Sequence, residues 1–289
     1  PVMIRPAQFS SDTAFRQALE SRLMNISRAE KVDIQRLRRQ VAFDRFLCRL
    51  FHAPAVPWAL KGGYAMELRL ATSRTTRDID LTFRQLSAGG EKARNRRILE
   101  MIQKSAAVDL GDCFVFLVGE PMLELDGAPY GGERFPVEAR MDGRLFVRFH
   151  LDVGVGDVVL DPMEIVHGRD WLQFVNIPEV AFPVIPREQH FAEKYHAYTR
   201  PRDTRENSRA RDLVDMLLLI HDGRLDRART QEALLLTFDR CGTHPMPAAV
   251  PPPPASWITL FKALAKTCGL HEDCQQAHAL LAQFMASCK

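Results

Sequence analysis

Leu60-Lys61-Gly62-Gly63, followed shortly by Arg74-Thr75-Thr76-Arg77-Asp78-Ile79-Asp80-Leu81, narrows the possible folds of this chain more than any other stretch. Trp58 to Lys61 reads as a short strand, Gly62-Gly63 as a turn, Tyr64 to Ala71 as a helix, and Asp78 to Phe83 as a second strand. Positions i and i+2 of a strand share a face, which puts Asp78 and Asp80 on one side with α-carbons about 7 Å apart. Ile79 and Leu81 then point into a core. Two carboxylates converging beside a phosphate-sized glycine turn suit Mg²⁺, which takes oxygen ligands from one or two carboxylates plus substrate phosphates. That is the chemistry of nucleotidyl transfer, although the same Asp-x-Asp spacing also fits a surface strand or a calcium loop.

Residues 12 to 52 read as helical, with Phe43, Phe46, Leu47 and Leu50 at the i, i+3, i+4, i+7 positions of one face, and Pro54 and Pro57 closing the segment. Glu91 to Ala106 reads as a helix, Cys113 to Val118 as a strand, Gly127 to Gly132 as a loop, Arg144 to Val153 as a strand and Phe182 to Ile185 as another. Helices dominate afterwards: Arg187 to Tyr198, Ser208 to His221, Thr230 to Arg240, and one or two more between Trp257 and Cys288. Pro251 to Pro254 forms a stiff extended link. The expected architecture is α/β (α+β): a first lobe with a small mixed sheet over residues 1–181, then a helical lobe over 182–289.

Composition bounds the function. With 46% hydrophobic residues in 289, the chain has ample core. No run of about 18 apolar residues appears, and the start lacks a charged stretch followed by an apolar one, so neither a membrane span nor a secretory leader is expected. Six scattered cysteines in a chain of this size favour a reducing, cytoplasmic setting. Net charge is only +3, but just 8 of the 39 basic residues are lysine, and arginine suits forked recognition of phosphate. The arginines cluster at Arg36, Arg38 and Arg39, at Arg94, Arg96 and Arg97, and at Arg200, Arg202, Arg205, Arg209 and Arg211. Such groups fit an RNA or DNA backbone; an Arg-biased solvated surface gives the same pattern.

Asp152, within Phe149-His150-Leu151-Asp152-Val153, supplies a third carboxylate if its strand lies beside the first pair. Three acids could hold two metals about 3.5–4 Å apart, clamping the entering and leaving oxygens. His150 is read as facing away from Asp152's side. On the helix from Glu188 to Tyr198, Phe191, Tyr195 and Tyr198 form an apolar stripe on which Lys194 also sits. An ammonium there needs an anionic partner: a phosphate, a structural Asp or Glu, or solvent reached by snorkelling. Asn207 or Ser208 can cap the following helix, and Asp212 and Asp215 lie near its positive end beside Arg209 and Arg211. Cys268, His271, Cys274 and His278 have metal-ligand chemistry, but zinc generally draws its ligands from two separated elements, so ordinary helix residues are expected there.

Five blocks in fixed order, namely Leu60–Gly63, Arg74–Leu81, Leu151–Asp157, Ala192–Ala197 and Asn207–Asp212, make the chain resemble the AbiEii/AbiGii-type nucleotidyltransferase toxins of type IV toxin–antitoxin systems, over roughly residues 40 to 220. The resemblance implies a nucleotidyltransferase-fold lobe followed by a helical lobe. It also implies an NTP-using enzyme that extends the 3′ acceptor end of tRNA and blocks aminoacylation, and a separately encoded antitoxin. By block position, Asp78 and Asp80 would be metal ligands and catalytic acids. Lys194 would contact the triphosphate, and Asp212 would be the essential acid of the last block. Gly62 and Gly63, with Lys61, would approach the phosphates, and Arg77 would neutralise charge. Arg211 stands where many relatives carry Lys. Two rival readings keep part of this: transfer to an antibiotic or a protein hydroxyl, and a catalytically inactive nucleotide- or RNA-binding regulator.

Overall fold

The computed structural model describes residues 9–70, 73–85, 90–125, 128–201 and 209–288. Two helices lead into the sheet: α1 (Asp12–Glu30) and α2 (Ile34–Leu50). The single helical region expected over 12 to 52 is broken at its middle. Lys31 closes α1 in the left-handed conformation (φ 55°), and the Asp33 carboxylate caps α2 by accepting from the Arg36 N–H at 2.9 Å. From Val41 onward α2 is buried all round, so it carries buried charge as well as Phe43, Phe46, Leu47 and Leu50. Arg45 and Arg49 both reach Asp112 at 2.6 Å.

Among the described residues one mixed sheet of eight strands forms the centre. Its elements in chain order are β1 (Trp58–Lys61), α3 (Gly62–Arg69), β2 (Asp78–Phe83), α4 (Glu91–Ala106), β3 (Phe114–Val118), β4 (Leu123–Glu124), β5 (Gly132–Met141), β6 (Arg144–Val155), β7 (Glu164–His167) and β8 (Ala181–Val184). The spatial order is β3-β5-β6-β2-β1-β8-β7, with β4 added to β5. β2 runs parallel to β6, and β1 to β8; the remaining pairs are antiparallel.

The sheet is wider than the sequence reading, because β4, β5 and β7 were not expected. Pro136 sits in the middle of β5, and a proline ordinarily argues against an inner strand because it cannot donate to a ladder. Here β3 ends at Val118, whose partner is Val137, so Pro136 meets no β3 strand residue. Phe135, Val137, Ala139 and Met141 nevertheless alternate into the core.

After β8 the chain is helical: α5 (Arg187–Thr199), α6 (Ala210–His221), α7 (Arg227–Cys241), α8 (Trp257–Thr267) and α9 (Cys274–Ser287). Asn207 and Ser208, read as caps of α6, lie outside the described residues, as do Ala71 and Gly127. Two apolar clusters result. One spans Phe15 to Val184 and fills the space between the sheet and the first four helices; the other joins α5 to α9 and takes in Met66 and Leu160. No helix among the described residues is long and apolar enough to cross a membrane.

Candidate active site

The register between β2 and β6 sets the acidic centre. Asp80 lies opposite Asp152 and Asp78 opposite His150. Ile79 and Leu81 are fully buried on the other face, so period-2 alternation alone turns all three carboxylates to one side. His150 and Asp152 are two residues apart on the same strand and therefore share that side. The expectation that His150 faces away is corrected: its Nδ1 is 3.2 Å from Asp78 Oδ1.

The turn after β1 closes over Asp80. The Gly63 N–H donates to Asp80 Oδ2 at 3.4 Å, and Gly62, with φ +66°, has no room for a side chain. A Cβ at Gly62 would fall 2.0 Å from Asp80 Oδ2, and one at Gly63 would fall 2.6 Å from Thr76 Oγ1. Glycine is thus required both by backbone conformation and by proximity to the carboxylate. α3 starts at Gly62, so its free N–H groups and positive end sit beside this acid. Desolvation first, and then the charge of Asp152, push the Asp80 carboxyl up to about 6.

From the helical side, α5 and α6 bring the cations. Lys194 Nζ lies 3.1 Å from Asp212 Oδ1 and 2.9 Å from Asp215 Oδ2, and Arg74 forks onto Asp215 at 2.9 and 2.8 Å. Burial opposes the charge of Lys194, but Asp215 and Asp212 outweigh it and raise its pKa. Its ammonium is near enough to Asp80 to act against that acid's upward shift. Lys61 is held by Asp157 Oδ2 at 2.6 Å and Glu193 Oε2 at 3.4 Å. Burial disfavours the ammonium here too, and these acids more than restore it.

Lys61, Gly62, Gly63, Asp78, Asp80, Asp152, Lys194 and Asp212 all line one cleft of about 1130 Å³, together with Arg200, Arg209 and Arg211. Arg77 is exposed and outside that lining. Arg202 and Arg205 lie outside the described residues. The other arginine groups are partly occupied locally, Arg36 by Glu67, Arg38 by Glu20, Arg94 by the Tyr130 carbonyl and Arg96 by Glu100.

Sequence reasoning missed Arg134 and Arg240 as cleft residues and gave no role to Arg74, Asp157 or Glu193, although these three lie inside the quoted blocks. Arg134 is on β5 directly across from Asp152 and clasps it with both ends of its guanidinium: Nε to Oδ1 and Nη2 to Oδ2, each at 2.7 Å. Nη2 also leans on Asp78 Oδ2 at 3.4 Å.

The donor set fits a hard divalent cation on Asp78 and Asp80, with substrate oxygens completing the shell. It does not form a protein-only cage. Among the described residues no three His, Cys, Asp or Glu side chains gather to hold a metal ion. In the C-terminal helices, His278 Nε2 is engaged by the Val250 carbonyl at 3.0 Å, and Cys268 and Cys274 are buried.

The AbiEii nucleotidyl transferase toxin family of type IV toxin–antitoxin systems matches residues 45–278, from the middle of α2 into α9. The chain belongs to that family. Among solved structures it is similar to MenT4, a nucleotidyltransferase toxin from Mycobacterium tuberculosis H37Rv, at 18% identity and a TM-score of 0.56, over 93% of this chain and 97% of that one. JHP933 from Helicobacter pylori aligns at 12% identity and a TM-score of 0.47, over 88% and 91% of the two chains. No curated protein matches. The likeness to MenT4 speaks to the fold alone, and it gives the nucleotidyltransferase toxin fold expected from the five blocks. As an AbiEii protein the chain is a nucleotidyltransferase toxin, with a nucleoside triphosphate as substrate and an antitoxin as its counterpart.

Proposed function

We propose that this AbiEii chain transfers a nucleoside monophosphate from an NTP to the 3′ hydroxyl of an RNA, tRNA above all, with Mg²⁺ as the ion, in the cytoplasm. The observation that carries the reading is the meeting, in one cleft, of the strand carboxylates, the glycine turn and Lys194, with Arg200, Arg209 and Arg211 on the same wall. In the reaction a bond forms between the RNA 3′ oxygen and the α-phosphorus, the α–β phosphoanhydride bond breaks, and pyrophosphate leaves.

Asp78 and Asp80 would hold the divalent cation, which supplies charge neutralisation and polarisation of phosphate oxygens when bound. The Gly62-Gly63 turn offers backbone N–H groups to the phosphates from the start of α3. Lys194 would exchange its contact with Asp215 for triphosphate oxygens, while Asp212 keeps it oriented from behind. Lys61 adds positive potential beside the turn, and Arg77 adds charge from outside the lining. The arginines along the cleft would track the acceptor's backbone, which moves affinity without reading sequence. The arginines on the cleft wall favour a polyanionic acceptor over an antibiotic. We also propose that the chain divides into a sheet-bearing and a helical lobe just past the expected boundary at 182, at the end of β8, with the two apolar clusters, the first of which runs to Val184, as support.

Purified protein incubated with each labelled NTP, Mg²⁺ and total tRNA should label the RNA 3′ end. Asp80→Asn should lower the rate by at least about 100-fold while leaving the melting temperature unchanged. Label appearing on a small molecule or a protein instead would reassign the acceptor. Toxicity that survives Asp80→Asn would favour a binding regulator.

A further inference from the structure

The acidic centre already contains a cation. Arg134 faces Asp152 across the β5/β6 ladder, and its two parallel hydrogen bonds engage both carboxylate oxygens at 2.7 Å, the geometry in which arginine binds carboxylate most firmly. Asp152 is 13% exposed and Arg134 30%, so water screens the pair only partly. The same guanidinium reaches Asp78 at 3.4 Å, spanning two of the three acids. A two-cation arrangement would ask Asp152 to be a ligand. Any ion on Asp152 would then sit against a guanidinium that cannot lose its proton. The backbone gives Arg134 little freedom to withdraw, since β5 is paired with β6 along its whole length. Asp80, by contrast, receives only the long contact from the Gly63 N–H, and among the described residues no cation lies within ion-pair distance of it.

We propose that Arg134 is a built-in counter-cation that takes the place of a second metal: it withdraws Asp152 from the ligand set, leaving one divalent-cation site on Asp78 and Asp80. The inference rests on the metal-dependent transfer reading above. It assigns Asp152 the role of anchoring Arg134, which in turn spreads positive charge over the acids at their β5 side. A single ion, bound from the open side, completes the neutralisation.

Binding of Mn²⁺ alone to the full chain, followed by its electron paramagnetic resonance signal and by calorimetry, tests this without turnover. The wild type should bind a single Mn²⁺ and Asp80→Asn should lose it. Asp152→Asn should retain it with less than about a tenfold change in affinity, the lower end of what outer-shell substitutions cost. Arg134→Gln should bind a second Mn²⁺ or bind the first at least about tenfold tighter, because Asp152 is released. Loss of Mn²⁺ in Asp152→Asn as complete as in Asp80→Asn would overturn the proposal while leaving metal-dependent transfer standing. Unchanged stoichiometry and affinity in a folded Arg134→Gln would overturn it as well; if that variant does not fold, Asp152→Asn decides. A wild type that binds no Mn²⁺, alone or together with a non-transferable NTP analogue whose oxygens complete the shell, would remove both readings together.

Discussion

Asp44 illustrates how a buried residue far from the cleft ties together the elements around it. On α2 it accepts from Tyr64 Oη at 2.5 Å, Trp171 Nε1 at 2.8 Å and the Arg169 N–H at 3.0 Å, joining the helix to α3 and to the loop after β7. Burial nevertheless dominates and pushes its carboxyl up to about 6. The folded chain therefore holds this proton more tightly than the unfolded chain. The stabilisation is complete below the unfolded value near 4 and is lost as pH rises through about 6, at most about 3 kcal/mol. Asp44→Asn should remove that slope. Urea denaturation at pH 4.5 and pH 7 should show the wild type losing stability relative to the variant over this interval; a constant difference would contradict the assignment. Nothing in Phe43-Asp44-Arg45-Phe46 announces this, because a lone acid on a helix ordinarily faces solvent. Asp78, Asp80 and Asp152 were legible for the opposite reason. Alternation fixes the side to which a strand residue points, and the ordered blocks fixed which strands mattered. The same parity rule, applied consistently, would have put His150 on the face of Asp152; the β2/β6 register then sets it beside Asp78.

The strand–turn–helix unit formed by β1, the glycine pair and α3 is the element on which the site depends. Gly62 combines a left-handed φ with a clash distance of 2.0 Å to Asp80, so Gly62→Ala carries two penalties. The backbone term is about 1 kcal/mol. The larger effect should be functional, since the new methyl displaces Asp80 and the Gly63 N–H together. Thermal melting should show a loss of a few degrees, while transfer activity falls at least about 100-fold, the scale of losing a preorganised donor. Activity within a factor of a few of the wild type would mean that the turn does not act on the acid. This element was legible because Gly-Gly between a strand and a helix has few conformations to choose from. β5 was not, because Pro136 and neighbouring charges hid its alternation, and Arg134 disappeared with it. Its role depends on long-range pairing with β6 that no local pattern reports.

For the molecule as a whole, the mixed sheet and the helical tail were readable from the changing period of hydrophobic residues, whereas the strand order β3-β5-β6-β2-β1-β8-β7 was not. Order is decided by which apolar faces meet, and those contacts join residues far apart in the chain. The arginine-lined cleft predicts a strongly salt-dependent RNA complex. If about three phosphates of a single-stranded RNA end are neutralised, affinity should fall some 20-fold between 50 and 200 mM salt, and Arg211→Ala should flatten the log–log slope by about 0.7. Filter binding at several salt concentrations measures both, and a salt-independent affinity would exclude backbone tracking. The cleft also carries its own charge balance: Lys61 faces Asp157 and Glu193, Lys194 and Arg74 share Asp215, and Arg134 faces Asp152. No ammonium or guanidinium of this set waits for a visiting anion before the polypeptide can close around it. On that balance the polypeptide should reach its folded form with no nucleotide present, so that maturation does not wait on the nucleotide supply.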